Sequence, residues 1–290
     1  MAQIVFLNGE WKNIQDAKVS ILDQGILRGD GLFETLRAKE GKIPLIKGHL
    51  ERLFNSAKIV GLEIPFPKER IEHVLNEILK KNSLKEARIR MVLTRGIGKT
   101  VDPLEEQTKP TFFIIAEPYQ PKPPLDLYEK GVEIISVPIN LYNALFPISV
   151  KSISYFHNMA AKRYAKSKGA FDAIFTDANG YCSEGTTSNL FWVKEKEIYT
   201  PPLHVGALPG VTRKTIIETL KAMGKSLGEE KIQIKELYQM DEVFLTSSMI
   251  QILPVSVIDG KRIRDGIGPI TKGLQNNFDQ HLRKISKDLQ

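Results

Sequence analysis

The succession of apolar and polar positions along the chain predicts a mixed set of strands and helices. IVFL and a short segment around Trp11 read as a hairpin, because the Asn8-Gly9 pair between them favours a tight turn. KVSIL is expected to be a strand, followed by the loop DQGILRGDGLFE and the strand FETLRAK. Helical spacing then takes over. HLERLFNSAKIVG predicts a helix that stops at Gly61, and KERIEHVLNEILKKN puts Ile71, Val74, Leu75 and Leu79 on one face. RIRMVLTRG and PTFFIIAEP are apolar runs expected to pair within one sheet.

The stretch 118–126, PYQPKPPLD, holds four of the 16 prolines and cannot continue a helix or a sheet. It reads as a connector between a domain of residues 1–117 and a domain of residues 127–290. Past it come the strand VEIISVP, the helix HNMAAKRYAKSKG, and two short strands, DAIFTD and NLFWV, flanking NGYCSEGTTS. EIYTP adds a β segment and ALPGVTRKTIIETLKAMG a turn and helix. EVFLTSSMIQILPVSVIDG reads as strand, loop and strand, and ITKGLQNNFDQHLRKI as an amphipathic helix. The expected fold class is α+β in two domains.

Composition narrows the function classes. The 290 residues carry 41 Lys+Arg against 34 Asp+Glu, a formal net charge of +7. Such a surplus suggests polyanions, yet the lysines are interleaved with acids, as in KKNSLKEARIR, which is the pattern of solvated faces. No apolar run approaches the roughly 20 residues of a bilayer span, and the first residues show no apolar secretory core. The single cysteine, Cys182, excludes an internal disulfide framework, and the five histidines are scattered. A cytoplasmic protein without a metal, a membrane partner or a nucleic-acid partner is expected.

Four places could carry chemistry. Gly210, Val211 and Thr212 would stand at a helix N-terminus, where free N–H groups attract a phosphate, unless Thr212 is an ordinary cap. Thr246, Ser247 and Ser248 end a strand with three hydroxyls, which serve either a turn or a ligand. Lys151 lies among apolar residues in PISVKSISYF, a setting that favours a nucleophilic amine but also suits a lysine snorkelling from an edge. Glu184, in CSEGTTSNLF, is either a turn carboxylate or a placed partner.

Together these segments resemble the class IV aminotransferases, the fold type IV pyridoxal phosphate enzymes. The likeness runs through LDQGILRGDGLFETLR, HLERLFNSAK, VKSISY, DANGYCSEGTTSNLFWV, YTPP, GALPGVTR and FLTSSMIQILPV, all in the family's order. The resemblance implies a small N-terminal α/β domain, a larger C-terminal α/β pseudo-barrel domain, a homodimer, and pyridoxal 5'-phosphate as cofactor. It makes Lys151 the catalytic lysine linked to the cofactor, and Glu184 the carboxylate beside the pyridine nitrogen. Arg52, Val211, Thr212 and Ser248 become phosphate contacts and Ser247 a further cofactor contact, with Leu208 against the ring and Tyr155 near its O3′. A carboxylate there keeps the ring nitrogen protonated, and an arginine anchors a phosphate bidentately.

Substrate choice divides the family. Arg28 and Arg88 stand where branched-chain transaminases usually have tyrosines, beside an arginine matched by Arg90. The resemblance brings the Arg28 loop from the neighbouring subunit, and a cationic pocket favours a carboxylate over an apolar side chain. The expected activity is therefore amino transfer between D-amino acids and 2-oxo acids, through arginines that replace the usual Arg-x-His trap. That trap is absent from the loop GIGKTVDPLEEQ. Thr35 and Met249 are placed with the substrate. Branched-chain L-amino acid transamination is the first alternative. Aminodeoxychorismate lyase, which commonly has threonine at Thr35, is the second, and its usual asparagine is Ser247 here. A non-enzymatic phosphate- or nucleic-acid-binding protein would need neither Lys151 nor Glu184.

Overall fold

The computed structural model describes residues 3–98, 109–120, 123–138, 150–225 and 227–288. The chain divides into two compact units, Met1–Gln120 with Val150–Tyr155 and Ile285–Gln290, and Pro121–Ser149 with Phe156–Lys284. Val150–Tyr155 groups with the first unit although it lies beyond the proline-rich stretch, because it bonds there. The Phe33 amide donates to the Lys151 carbonyl at 2.9 Å, and the Ile153 amide to the Gly31 carbonyl at 3.0 Å. Residues 121–122 of the proline-rich stretch, and most of the loop GIGKTVDPLEEQ, lie outside the described residues.

The first unit contains β1 (Ile4–Leu7), β2 (Glu10–Asn13), α1 (Gln24–Arg28), β3 (Gly31–Ala38), α2 (Ile46–Ile59), α3 (Lys68–Lys81), β4 (Ala87–Thr94) and β5 (Thr111–Pro118). Its strands form one antiparallel sheet in the order β2-β1-β5-β4-β3. Asn8 and Gly9 both take positive φ, 49° and 98°, which lets β1 turn directly into β2. The alternation on β3, β4 and β5 sends Leu36, Ile89, Met91, Phe112 and Ile114 into a core shared with Leu53 of α2 and Leu75 of α3. The opposite face carries three cross-strand rows: Phe33–Val92–Phe113, Thr35–Arg90–Ile115 and Arg37–Arg88–Glu117.

One predicted strand of the first unit does not form. KVSIL is irregular rather than a strand, with Ile21 and Leu22 exposed, and the expected loop after it begins with α1. The cause is Asp23, which is fully buried. One carboxylate oxygen accepts from the Gly25 amide, and the other from the hydroxyls of Thr94 and Thr111 at 2.9 and 2.7 Å. An N-cap held by three donors nucleates α1 directly after KVSIL, where the sequence predicts a loop.

The second unit contains α4 (Leu127–Lys130), β6 (Val132–Pro138), α5 (Phe156–Ser167), β7 (Asp172–Thr176), β8 (Cys182–Gly185), β9 (Asn189–Lys194), β10 (Glu197–Thr200), α6 (Val211–Ala222), β11 (Leu227–Glu229), α7 (Ile234–Leu237), β12 (Glu242–Ser247), β13 (Gln251–Ile258), β14 (Lys261–Arg262) and α8 (Pro269–Asp288) up to Lys284. The sheet path β11-β10-β9-β12-β13-β6-β7-β8 closes on itself, because β8 also pairs with β9. The strands from β9 through β8 thus make a barrel-like ring, with Ile134, Ile174, Leu190, Leu245 and Leu253 in its core cluster. The seam of that ring is the pair Glu184↔Asn189. The short strand β8 falls inside NGYCSEGTTS, which lacks the length to announce a strand by pattern.

Candidate active site

Three groups in the first unit gather on one aromatic ring. The Lys151 ammonium lies 4.5 Å from the Phe33 ring centroid, and the Arg90 guanidinium 4.1 Å from it. Tyr155 meets the same ring edge-to-face at 5.2 Å. Lys151 is half-buried, and its backbone runs beside β3 through the Leu32↔Ser152 bridge. Phe33 was not among the residues singled out by sequence. Its signal was available in period two, since it shares the outer face of β3 with Thr35.

Arg52 lies on α2, one turn from His49, and both face Glu34 of β3. Arg52 donates from Nε to Glu34 Oε1 at 2.8 Å and from Nη2 to Oε2 at 2.6 Å. His49 Nδ1 stands 2.7 Å from the same Oε2. Burial opposes ionisation of Glu34, but the Arg52 charge and hydrogen bonds from Arg52 and His49 outweigh it and bring the carboxyl down to about 2. Burial also lowers the pKa of His49, against the pull of Glu34, so the imidazole is neutral and its contact is a hydrogen bond rather than an ion pair. Among the described residues, sequence reasoning missed Glu34 and His49 as partners of Arg52.

The substrate-side candidates divide. Thr35 and Arg90 are directly opposite in the β3–β4 ladder, and Arg88 follows on the same face. Arg88 is exposed and stands 3.7 Å from Glu117, a separation at which a surface pair contributes about 0–1 kcal/mol. Burial, then the nearby Arg88 charge, lowers the pKa of Arg90. Arg28 sits apart at the end of α1, exposed, where Gly29 in the left-handed region turns the chain and its carbonyl accepts from Ser154 Oγ.

In the second unit, Glu184 Oε2 accepts from the Leu208 amide at 2.8 Å and from Asn189 Nδ2 at 3.2 Å. Asn189 Nδ2 also donates to the Leu208 carbonyl at 2.8 Å. Asn189 therefore ties Glu184 to the turn that leads into α6. Gly210 is the N-cap of α6 and makes no side-chain cap; a Cβ there would clash with Asn189 Oδ1. Val211 and Thr212 are buried at the helix start. Thr212 does not cap the helix: its hydroxyl is buried and has no hydrogen-bond partner. Thr246, in register with Asn189, has a second buried hydroxyl without a partner. Ser247 Oγ accepts from the Ile250 amide at 3.4 Å, a turn contact, and Ser248 and Met249 lie half-buried in that turn.

Two buried, unpartnered hydroxyls beside the free N–H groups of a 12-residue helix form a donor set suited to a phosphate. Glu184, held by two donors on one oxygen, is suited to a protonated ring nitrogen. The residues present fit pyridoxal 5'-phosphate. Among the described residues no cluster of His, Cys, Asp and Glu could hold a metal ion, and no helix is long and apolar enough to cross a membrane.

Comparison with known proteins agrees with this chemistry. The family model for amino-transferase class IV matches residues 31–258. A protein of Methanocaldococcus jannaschii described as "Putative branched-chain-amino-acid aminotransferase" is 40% identical over 281 residues, covering 94% of each chain. The D-alanine aminotransferase of Staphylococcus epidermidis is 32% identical, covering 97% of this chain and 99% of its own. The branched-chain aminotransferase of the archaeon Thermoproteus uzoniensis, solved with norvaline, superposes with a TM-score of 0.89 at 29% identity, over 99% of this chain and 97% of that one. A T.th. branched-chain amino acid aminotransferase solved with pyridoxamine 5'-phosphate gives the same TM-score and identity, over 99% of this chain and 95% of that one. On these matches the chain belongs to the class IV aminotransferases and is a pyridoxal phosphate-dependent enzyme.

Proposed function

We propose that the enzyme transfers an amino group between a D-amino acid and a 2-oxo acid. The observation that carries this is that Arg90 and Lys151 both lie over the Phe33 ring, with Arg88 and Arg37 continuing the cationic row on β3 and β4. A carboxylate seated against Arg90 would place the α-carbon of a small amino acid near the lysine amine. Lys151 would hold the cofactor through its amine before substrate arrives and, once released by the substrate's amine, would move the proton at that carbon. Bound pyridoxal phosphate supplies a ring that accepts negative charge from the substrate. Glu184 would keep the ring nitrogen protonated, Leu208 would pack against the ring, and Tyr155 would serve its O3′ side. Arg52, Val211, Thr212 and Ser248 hold the phosphate and Ser247 is a further cofactor contact, while Arg28, Arg88, Thr35 and Met249 act on substrate.

We also take the enzyme to be a cytoplasmic homodimer. Ile21, Leu22, Ile26, Leu27 and Ile97 are exposed on and around α1, an apolar patch suited to a second copy. Branched-chain L-amino acid transamination is the second reading, favoured by the identity to the Methanocaldococcus jannaschii protein.

Mixing the cofactor-loaded enzyme separately with D-alanine, D-glutamate, L-leucine and L-glutamate separates the two. Loss of the lysine-linked cofactor band with the D-amino acids is expected, and Lys151→Ala should lack that band from the start. Bleaching by the L-amino acids alone rejects the D-specific reading, and pyruvate release from aminodeoxychorismate would instead indicate a lyase.

A further inference from the structure

Glu34 breaks the pattern of its strand. Its neighbours on the core face of β3 are Leu32, Leu36 and Ala38, and Glu34 itself is 1% exposed. A carboxylate on that face is costly unless every charge near it is matched. It is matched by two side chains from one face of α2, Arg52 through two parallel N–H donors and His49 through Nδ1.

We propose that Glu34 is a positioning residue for cofactor binding: its buried carboxylate fixes the plane of the Arg52 guanidinium, and His49 fixes the carboxylate. This rests on Arg52 being a phosphate ligand. A guanidinium has five N–H donors in a rigid fork, so holding Nε and Nη2 on Glu34 determines where the remaining donors point. An ionised Glu34 also offsets the Arg52 charge. Charge and geometry therefore predict opposite effects when the acid is neutralised. If attraction to the phosphate governed, removing the negative charge would tighten binding. If orientation governs, binding weakens.

The test titrates the cofactor-free full chain with pyridoxal 5'-phosphate and, separately, with pyridoxal. Arg52→Ala and Glu34→Gln should each weaken pyridoxal 5'-phosphate binding by about tenfold or more and leave pyridoxal binding unchanged. The double variant should bind no more weakly than Arg52→Ala alone, because Glu34 acts only through Arg52. Unchanged or tighter binding in Glu34→Gln, equal losses for both ligands, or additive losses would overturn the proposal. Should Glu34→Gln not fold, His49→Gln keeps the Arg52–Glu34 pair and should show a smaller loss, again confined to the phosphorylated ligand; no such loss overturns the proposal. An Arg52→Ala protein that binds pyridoxal 5'-phosphate normally would instead remove Arg52 as the phosphate ligand, and the proposal with it.

Discussion

Phe33 and Lys151 are joined twice. The Phe33 amide donates to the Lys151 carbonyl at 2.9 Å, and the Lys151 ammonium lies 4.5 Å from the Phe33 ring centroid. The first contact fixes the lysine backbone to the edge of β3, and the second gives its charged end a ring face to rest on. Position and side-chain direction of the Lys151 amine are thus set by a neighbouring strand.

Phe33→Leu separates these two contacts. The backbone bond survives, the site stays apolar, and the ring is lost to Lys151, Arg90 and Tyr155 alike. Thermal unfolding should register a loss of about 1 kcal/mol, whereas kcat should fall well beyond what that loss explains. A variant with unchanged kcat would mean the ring does not orient the amine.

On the proposed role of Glu184 beside the ring nitrogen and away from the phosphate, Glu184→Ala should slow turnover far more than it weakens cofactor retention. It also leaves the Leu208 amide without its acceptor, so a stability loss of about 1–3 kcal/mol should accompany it. Parallel measurement of kcat and of the cofactor dissociation constant decides; equal losses in both would falsify the assignment.

Gly210→Ala tests the turn into α6. The added methyl would clash with Asn189 Oδ1, so Asn189 must leave its place between Glu184 and the Leu208 carbonyl. Destabilisation of about 1–3 kcal/mol and weaker cofactor retention are expected, by chemical denaturation and by cofactor titration. A fully stable variant with normal retention would show that the Asn189 contact does not organise the helix start.

Acid should act on the first unit in two stages. His49 is held below its ordinary pKa of 6.5 by burial, so its stabilisation is complete above pH 6.5. Below that, the unfolded chain takes up a proton that the folded one refuses, and stability falls by up to about 1.4 kcal/mol per pH unit. Glu34, lowered from 4.5 to about 2, keeps its contribution above pH 4.5 and loses it as pH falls towards 2. Denaturation midpoints measured from pH 7 to 5 should slope downward in the native protein, and the slope should shrink in His49→Gln.

Much of the fold was legible in the chain itself. The apolar spacing of KERIEHVLNEILKKN reappears in α3 with Ile71, Val74, Leu75 and Leu79 buried, and Asn8-Gly9 makes the expected hairpin. Lys151 and Glu184 were legible only as candidates, since an amine in an apolar run also suits a sheet edge and a carboxylate in a polar turn also suits the turn; their roles came from the resemblance. KVSIL misled because its alternation is that of a strand, while the segment finds no strand to pair with.

By itself, the sequence determined the alternation of elements, the helix faces, the family and the residue types able to bind a phosphate and a protonated ring. The elements, helix faces and residue types follow from spacing over a few positions, while the family came from a resemblance carried by seven segments in order. Only the tertiary structure decided that Asp23 starts a helix, that Glu34 occupies the core face against Arg52 and His49, and that the barrel-like ring closes at Glu184 and Asn189. Those outcomes depend on partners brought from other elements, as with Thr94 and Thr111 for Asp23. The stability of a buried carboxylate is set by such donors and not by its neighbours along the chain.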